Sequence, residues 1–344
     1  MTLTTIGIDL AKNVFQIHGV DQHGKTVLKK QLRRDQMASF FANTPSCLVG
    51  MEACGGAHHW ARKLQSFGHT VKLIAPQFVK PYVKTNKNDA ADAEAICEAV
   101  GRPNMRFVPV KHIEQQAVLC LHRVRQSFVK ARTAQGNQIR GLLAEFGIVL
   151  PQGMAHLRSG VPELIEDATL ELPGAFRRLM QRLLDHLAEL HRQVSELEAQ
   201  ILVWHKNNAL SQKLQALPGI GPITASALVA TVGDAKSFDT GRQLAAWLGL
   251  VPRQHSSGGK NVLLGISKRG DGYLRTLLIH GARSVVRVVQ SRVKAGGSPP
   301  PWLGALLSRR NSNVAAVALA NKNARIVWAL LSQNREYQVD YAAA

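Results

Sequence analysis

Short apolar runs open the chain, and each ends at a polar break. Residues 6–9, 14–20 and 26–32 read as three strands, and Asp21-Gln22-His23-Gly24-Lys25 reads as the hairpin turn between the last two. A helix follows, then a strand at Leu48–Glu52, a helix over about 58–67 and a strand at 71–75. Asn88-Asp89-Ala90-Ala91-Asp92-Ala93-Glu94-Ala95 starts another helix. Three hairpin-linked strands followed by strands alternating with helices predict an α/β domain of the RNase H-like (RuvC-like) type over residues 1–110.

Beyond residue 110 the period lengthens. Ala117, Leu121, Val124, Phe128 and Ala131 recur at 4-3-4-3 spacing in a helical stretch over 113–147. A break rich in Pro and Gly occupies 151–174. A second helix, 175–205, carries Phe176, Met180, Leu183, Leu187, Leu190, Val194, Leu197, Ile201 and Trp204 in an unbroken 4-3 repeat. Such a seam predicts an antiparallel helical hairpin, an α-helical coiled-coil region over 111–206 able to pair with a second subunit. Residues 207–335 read as a mostly α C-terminal domain punctuated by glycine, and 336–344 as a tail.

Charge adds what periodicity cannot. The 344 residues hold 43 Lys and Arg against 23 acids, a net charge of +20, which implies a polyanionic partner. Residues 251–310 alone hold 11 Lys and Arg against one acid, Asp271. No run of 18 apolar residues occurs, so no membrane span is expected; the best stretch, 314–331, is broken by Asn321, Lys322, Asn323 and Arg325. Met1-Thr2-Leu3-Thr4-Thr5 does not read as a signal peptide. Cys47, Cys54, Cys97 and Cys120 form no Cys-x-x-Cys pair and read as reduced thiols of a cytosolic protein.

Against that basic background four acids stand out. Asp9 and Glu52 end two strands, while Asp89 and Asp92, three apart, share one helix face. Carboxylates that converge in a cleft repel one another unless cations fill it. The usual filler is a pair of Mg²⁺ ions roughly 3.5–4 Å apart that clamps a phosphodiester. Taken singly, each acid reads equally well as a cap or a solvated charge.

Two further motifs lie downstream. Leu217-Pro218-Gly219-Ile220-Gly221-Pro222 resembles a helix-hairpin-helix, in which Gly219 and Gly221 let backbone N–H groups approach a phosphate. In the loop from Gly249 to Lys260, Ser256 and Ser257 precede two glycines. Lys260, Lys268, Arg269 and Arg275 lie nearby in sequence and could stabilise phosphate charge during attack by a hydroxyl. From chemistry alone, a Ser-Gly-Gly loop reads as a linker.

Together these residues resemble the insertion-sequence transposases of the IS110 family, within it the IS1111 branch. The resemblance rests on Gly7-Ile8-Asp9-Leu10-Ala11-Lys12, Met51-Glu52-Ala53 and Asn86-Lys87-Asn88-Asp89-Ala90-Ala91-Asp92-Ala93. Further along it rests on Pro218-Gly219-Ile220-Gly221, Leu244-Ala245-Ala246-Trp247-Leu248-Gly249-Leu250-Val251-Pro252, Ser257-Gly258 and Ile266-Ser267-Lys268-Arg269-Gly270. It implies a RuvC-like DEDD domain whose carboxylates, at Asp9, Glu52, Asp89 and Asp92, hold Mg²⁺, two ions per site. It also implies a nucleophilic serine at Ser257, with Ser256 adjacent, and a covalent phosphoserine link to DNA. The implied partners are donor and target DNA, a structured bridge RNA that guides the enzyme, and further copies of the chain in a dimer or tetramer. No membrane partner is expected, and the implied setting is the prokaryotic cytoplasm, at the nucleoid when active. Gly219, Gly221, Arg253, Lys260, Lys268 and Arg269 are the expected nucleic-acid contacts. Two other functions fit the same residues: a RuvC-like nuclease that uses metal-activated water, and a nucleic-acid-binding protein without catalysis.

Overall fold

A computed structural model describes residues 2–84 and 88–338. Asn86 and Lys87 of the motif above, Met1, and residues 339–344 of the tail lie outside the described residues. The chain divides into two units, Met1–His112 and Ile113–Ala344.

The N-terminal unit is built on one mixed sheet. Its strands are β1 (Leu3–Leu10), β2 (Val14–Asp21), β3 (Thr26–Arg33), β4 (Leu48–Glu52), β5 (Thr70–Ile74) and β6 (Phe107–Val108), in the order β3-β2-β1-β4-β5-β6. β1, β2 and β3 pair antiparallel, β4 and β5 run parallel to β1, and β6 closes the edge antiparallel. The order is compatible with an RNase H-like fold.

Alternation along the strands sorts side chains to two faces. Ile6, Ile8, Val49 and Met51 are buried in one core with Met37 and Phe41 of α1 (Met37–Ala42) and Trp60 and Leu64 of α2 (Ala57–Gln65). After β5 come a short α3 (Pro76–Val79) and α4 (Asp89–Val100), and α4 covers the opposite face. It lies directly on main chain. A Cβ at Gly7 of β1 would sit 2.2 Å from the Ala93 carbonyl oxygen, and one at Gly50 of β4 would sit 2.7 Å from Val100 Cβ. Only glycine permits that approach.

The C-terminal unit starts with α5 (Ile113–Ala144), α6 (Met154–Glu166) and α7 (Gly174–Lys206). α5 and α7 pack side by side in antiparallel register: Arg125 Nε donates to Glu198 at 2.9 Å, and Arg132 meets His191 at 3.2 Å. The register repeats because the paired numbers advance in opposite directions by seven. α7 buries Met180, Leu187, Leu190, Val194 and Ile201 of the expected seam, with Leu184 more deeply buried than Leu183. On α5 the stripe is displaced by one residue. Val118, His122, Gly136, Ile139 and Leu143 are buried, while Ala117 and Val124 are exposed. The Pro/Gly-rich stretch also differs from its reading as a break. It folds as α6, whose Leu157 and Val161 pack on Ile139, Leu143 and Met180.

The remaining helices are α8 (Ala209–Gln215), α9 (Pro222–Val232), α10 (Gly241–Trp247), α11 (Gly272–Lys294), α12 (Pro301–Leu307) and α13 (Ser312–Ser332), around one core. A two-stranded arm, β7 (Pro252–Gln254) and β8 (Leu263–Ile266), projects between α10 and α11. By length and composition α13 is long and apolar enough to cross a membrane. Its Ala315, Ala316, Ala320, Asn323, Ala324, Val327 and Leu330 are nevertheless buried in the bundle core, and Asn323 donates to the Pro218 carbonyl at 3.0 Å.

One polar chain runs through this unit. Ser226 donates to the Pro222 carbonyl at 2.7 Å, so its oxygen accepts from Nε2–H of His122 at 3.1 Å. The unprotonated Nδ1 then accepts from the Tyr273 hydroxyl at 3.0 Å. His122 is 1% exposed, and burial pushes its pKa down to about 4, with Arg125 adding to the shift.

Candidate active site

The acids of the N-terminal unit take their positions from the sheet. β1 and β4 are neighbours in parallel register, with Gly7 beside Gly50 and Ile8 beside Met51. Asp9 and Glu52 follow at the two C-terminal strand ends. Two residues beyond Gly7 and Gly50, they lie on the face that α4 covers. Their charges act on one place. The Cys54 thiol is pushed above its ordinary value, by partial burial first and then by the carboxylates of Glu52 and Asp9.

α4 begins where Asn88 accepts from the Ala91 amide at 2.8 Å, a side-chain N-cap. Asp89 and Asp92 fall in its first turn, where the helix dipole favours negative charge. Asp89 lies one turn before Ala93, the residue that rests on Gly7. The acids of α4 divide into two classes. Glu98 pairs with Lys84 at 3.1 Å and with Arg102 at 2.6 Å, and Glu94 lies 3.9 Å from Lys84. Asp89 and Asp92 make no ion pair among the described residues.

The donor set suits a hard divalent cation: four carboxylates on one sheet face and no competing soft ligand except an exposed thiol. Yet among the described residues no three His, Cys, Asp or Glu groups stand close enough to cage an ion. Asp9 and Glu52 end neighbouring strands, and Asp89 and Asp92 stand in the first turn of the helix that covers their face.

In the C-terminal unit the two serines differ sharply. Ser256 Oγ accepts from the Val262 amide at 3.2 Å and from Gln254 Nε2 at 3.0 Å, so it braces the arm. Ser257 bridges to Lys260 across a two-residue turn, with Lys260 N–H donating to the Ser257 carbonyl at 3.0 Å. Gly258 and Gly259 adopt φ of 54° and 78°, the paired positive values of a type I′ hairpin. The Ser257 side chain is exposed, and its hydroxyl makes no hydrogen bond among the described residues. Arg253, Lys260, Lys268 and Arg269 are exposed as well.

The base of the arm is rigid. A Cβ at Gly270 would lie 1.8 Å from the Trp247 carbonyl oxygen, and one at Gly249 would lie 2.1 Å from that of Arg269. Arg275 donates to the carbonyls of Leu248 and Arg269 at 3.0 and 3.2 Å, tying both sides of the base together. Lys268 holds a φ of 55°, rare for a residue with a side chain. The clamp by Arg275 and the brace by Ser256 were missed in the sequence, because bonds to main chain leave no mark in spacing or charge.

The glycines of the helix-hairpin-helix motif part company. Gly219 serves packing: its φ is 89°, and its carbonyl oxygen would lie 1.8 Å from a Cβ on Gly281 of α11. Gly221 begins α9 on the surface with no atom within 4 Å of its Cβ position.

Residues 211–296 match a family model described as "Transposase IS116/IS110/IS902 family", and residues 6–148 match one described as a DEDD-type "Transposase" of IS110. The chain is 56% identical to a "Probable family 20 transposase" of Pseudomonas aeruginosa, over 98% of this chain and 99% of the relative. It is 45% identical to the transposase for insertion sequence element IS1111A of Coxiella burnetii, over 97% and 91% of the two chains. It is 46% identical to that for IS1328 of Yersinia enterocolitica, over 96% and 97%.

Proposed function

The chain belongs to the IS116/IS110/IS902 family and is a DNA transposase, and from that premise we propose that it cuts and rejoins DNA with Ser257 as nucleophile. The observation that carries the reading is the unbonded Ser257 hydroxyl at the exposed tip of a glycine turn, beside a Ser256 whose oxygen is already engaged.

Asp9, Glu52, Asp89 and Asp92 would hold Mg²⁺, two ions per site. When bound, the metal neutralises charge on the scissile phosphate. In this reading Asp89 and Asp92 on α4 would close the site once substrate is present. Ser257 Oγ attacks phosphorus and leaves DNA joined to the protein, while its proton ends on the released 3′ oxygen. Lys260 on the same turn, and Arg253, Lys268 and Arg269 near the arm, offset the phosphate charge. Gly221 offers its backbone to a phosphate; for Gly219 that role has to coexist with its packing on α11. A structured guide RNA supplies sequence choice by base pairing, and the net charge of +20 suits a protein that holds RNA and DNA together. The α5–α7 hairpin, as a coiled coil, pairs copies into a dimer or tetramer, in the bacterial cytoplasm and at the nucleoid during activity.

The test traps the covalent step. Purified protein, Mg²⁺, guide RNA and end-labelled donor DNA are resolved on a denaturing protein gel. A labelled protein band that vanishes in Ser257→Ala and persists in Ser256→Ala is expected. Free DNA fragments undiminished in Ser257→Ala would overturn the serine mechanism in favour of a nuclease that uses water.

A further inference from the structure

α11 carries Arg283, Arg287, Gln290 and Lys294 at 4-3-4 spacing, one stripe along its surface. Where the stripe meets the start of α13, a cavity of about 460 Å³ opens. Arg283, Arg287 and Gln290 line it from α11, and Ser312 and Asn313 from the first turn of α13, with buried Val286 between them. Nε of Arg283 is buried without a hydrogen-bond partner. Neither guanidinium joins an ion pair among the described residues. No Asp or Glu occurs in the sequence from 272 to 335, so neither helix carries an acid. Two like charges one turn apart repel, and a buried N–H left unbonded costs free energy. The α13 side adds donors. Asn311 caps that helix: its side chain accepts from the Val314 amide at 3.0 Å and its carbonyl from the Ala315 amide at 3.0 Å. The amides of Ser312 and Asn313 precede those bonds, in the turn where main-chain N–H groups find no partner within a helix. Gln290 Nε2 donates to Ser312 Oγ at 2.9 Å, which fixes this turn against α11.

We propose that this cavity grips a backbone phosphate of DNA, as an anchor that shares no residue with the serine arm. The donor set selects the ligand. An apolar ligand would leave both guanidiniums unpaired, and a metal cation would be repelled by them. An oxyanion takes the planar fork of an arginine and the amides of a helix N-terminus at once. Among carriers of such a group, DNA follows from membership of a transposase family. The stripe runs on to Lys294, in a second cavity of about 410 Å³ that shares Gln290 with the first. Arg283 and Lys294 are eleven residues apart, about 16 Å of helix, which matches the rise of about five base pairs. A strand held at the first cavity can therefore continue past the second. The proposal rests on the family alone and does not need Ser257 as the nucleophile.

The test follows binding of a labelled DNA duplex, and of a labelled RNA hairpin in parallel, to full-length protein by fluorescence anisotropy over a range of salt. Arg283→Gln and Arg287→Gln are each expected to lower the duplex slope of log affinity against log salt by about 0.9, equally for unrelated sequences. Arg283→Lys is expected to keep the slope and lose part of the affinity, because an ammonium keeps the charge without the fork. Inorganic phosphate, against chloride at equal ionic strength, is expected to raise the melting temperature of the parent more than that of the double variant. Arg287 is exposed, so its substitution does not put folding at stake, and an unchanged duplex slope in Arg287→Gln would overturn the proposal. So would phosphate stabilisation equal in parent and double variant, or a slope lowered for the RNA alone, which would give the cavity to RNA. Ser257→Ala is expected to keep the parent's slope while losing the covalent band, so the anchor and the nucleophile stand or fall separately.

Discussion

Gly270 has no room for a side chain. With φ at 82° and the Trp247 oxygen 1.8 Å from the Cβ position, Gly270→Ala must push the base of the serine arm apart. A loss of about 1–3 kcal/mol is expected, read as a lower urea midpoint. Gly258→Ala meets no atom within 4 Å, so its cost is confined to the positive φ and should be smaller. His122 makes a different kind of prediction. Its folded pKa is about 4 and its ordinary value is 6.5, so between those values the unfolded chain binds a proton that the folded chain refuses. Stability is therefore full above about pH 6.5 and falls as pH drops toward 4, by up to about 3 kcal/mol from this group. Urea midpoints across that window should show a shallower slope in His122→Gln than in the parent. Nothing in spacing marked His122, because a histidine between Leu121 and Arg123 reads as surface until its two ring nitrogens are seen to be used.

Elements were legible where burial followed period. The seven strand and helix positions expected in the first 75 residues, five strands and two helices, appear in the structure, since their alternation is what the two faces of a sheet require. β6 was not legible: two residues on an edge carry no pattern. On α5 the apolar row at Ala117, Leu121 and Val124 misled, because the packed side of the helix is partly polar. His122 there bonds Ser226 of α9 and Tyr273 of α11, Arg125 bonds Glu198 of α7, and Gly136 is buried against Met154 of α6. The acid set was half legible. Spacing placed Asp89 and Asp92 on one helix, but which α4 acids are already paired depends on Lys84 and Arg102, which adjoin them only in the fold. The α5–α7 pair yields its own prediction. Arg125 is 17% exposed, bonds Glu198 and approaches the Tyr273 hydroxyl, so Arg125→Leu should cost about 1–3 kcal/mol in chemical denaturation. Arg192→Ala, at an exposed pair with Glu189 and Glu196 on α7, should leave the midpoint where it was.

For the whole molecule the dominant quantity is charge. At +20, affinity for duplex DNA should fall steeply with salt, by about 0.9 log units per log unit of salt for each phosphate neutralised. Arg253→Ala should lower that slope by about 1 without changing sequence preference, whereas an unaltered slope would remove Arg253 from the interface. Composition made this much legible before any fold was known; where on the surface the charge gathers was not, except along residues 251–310. The seating of α4 on bare backbone has a consequence for genomes. An insertion sequence leaves copies behind, and idle copies gather mutations without restraint. Every glycine codon begins with two guanines, so any change in either one replaces Gly7 or Gly50 with a larger residue or a stop. Each larger residue drives a side chain into α4, with its Cβ at 2.2 Å from the Ala93 carbonyl oxygen or 2.7 Å from Val100 Cβ, and a stop ends the chain. Codons 7 and 50 thus act as a tell-tale that sorts living copies of the element from fossils by sequencing alone, even in copies whose four acids and serine still read intact.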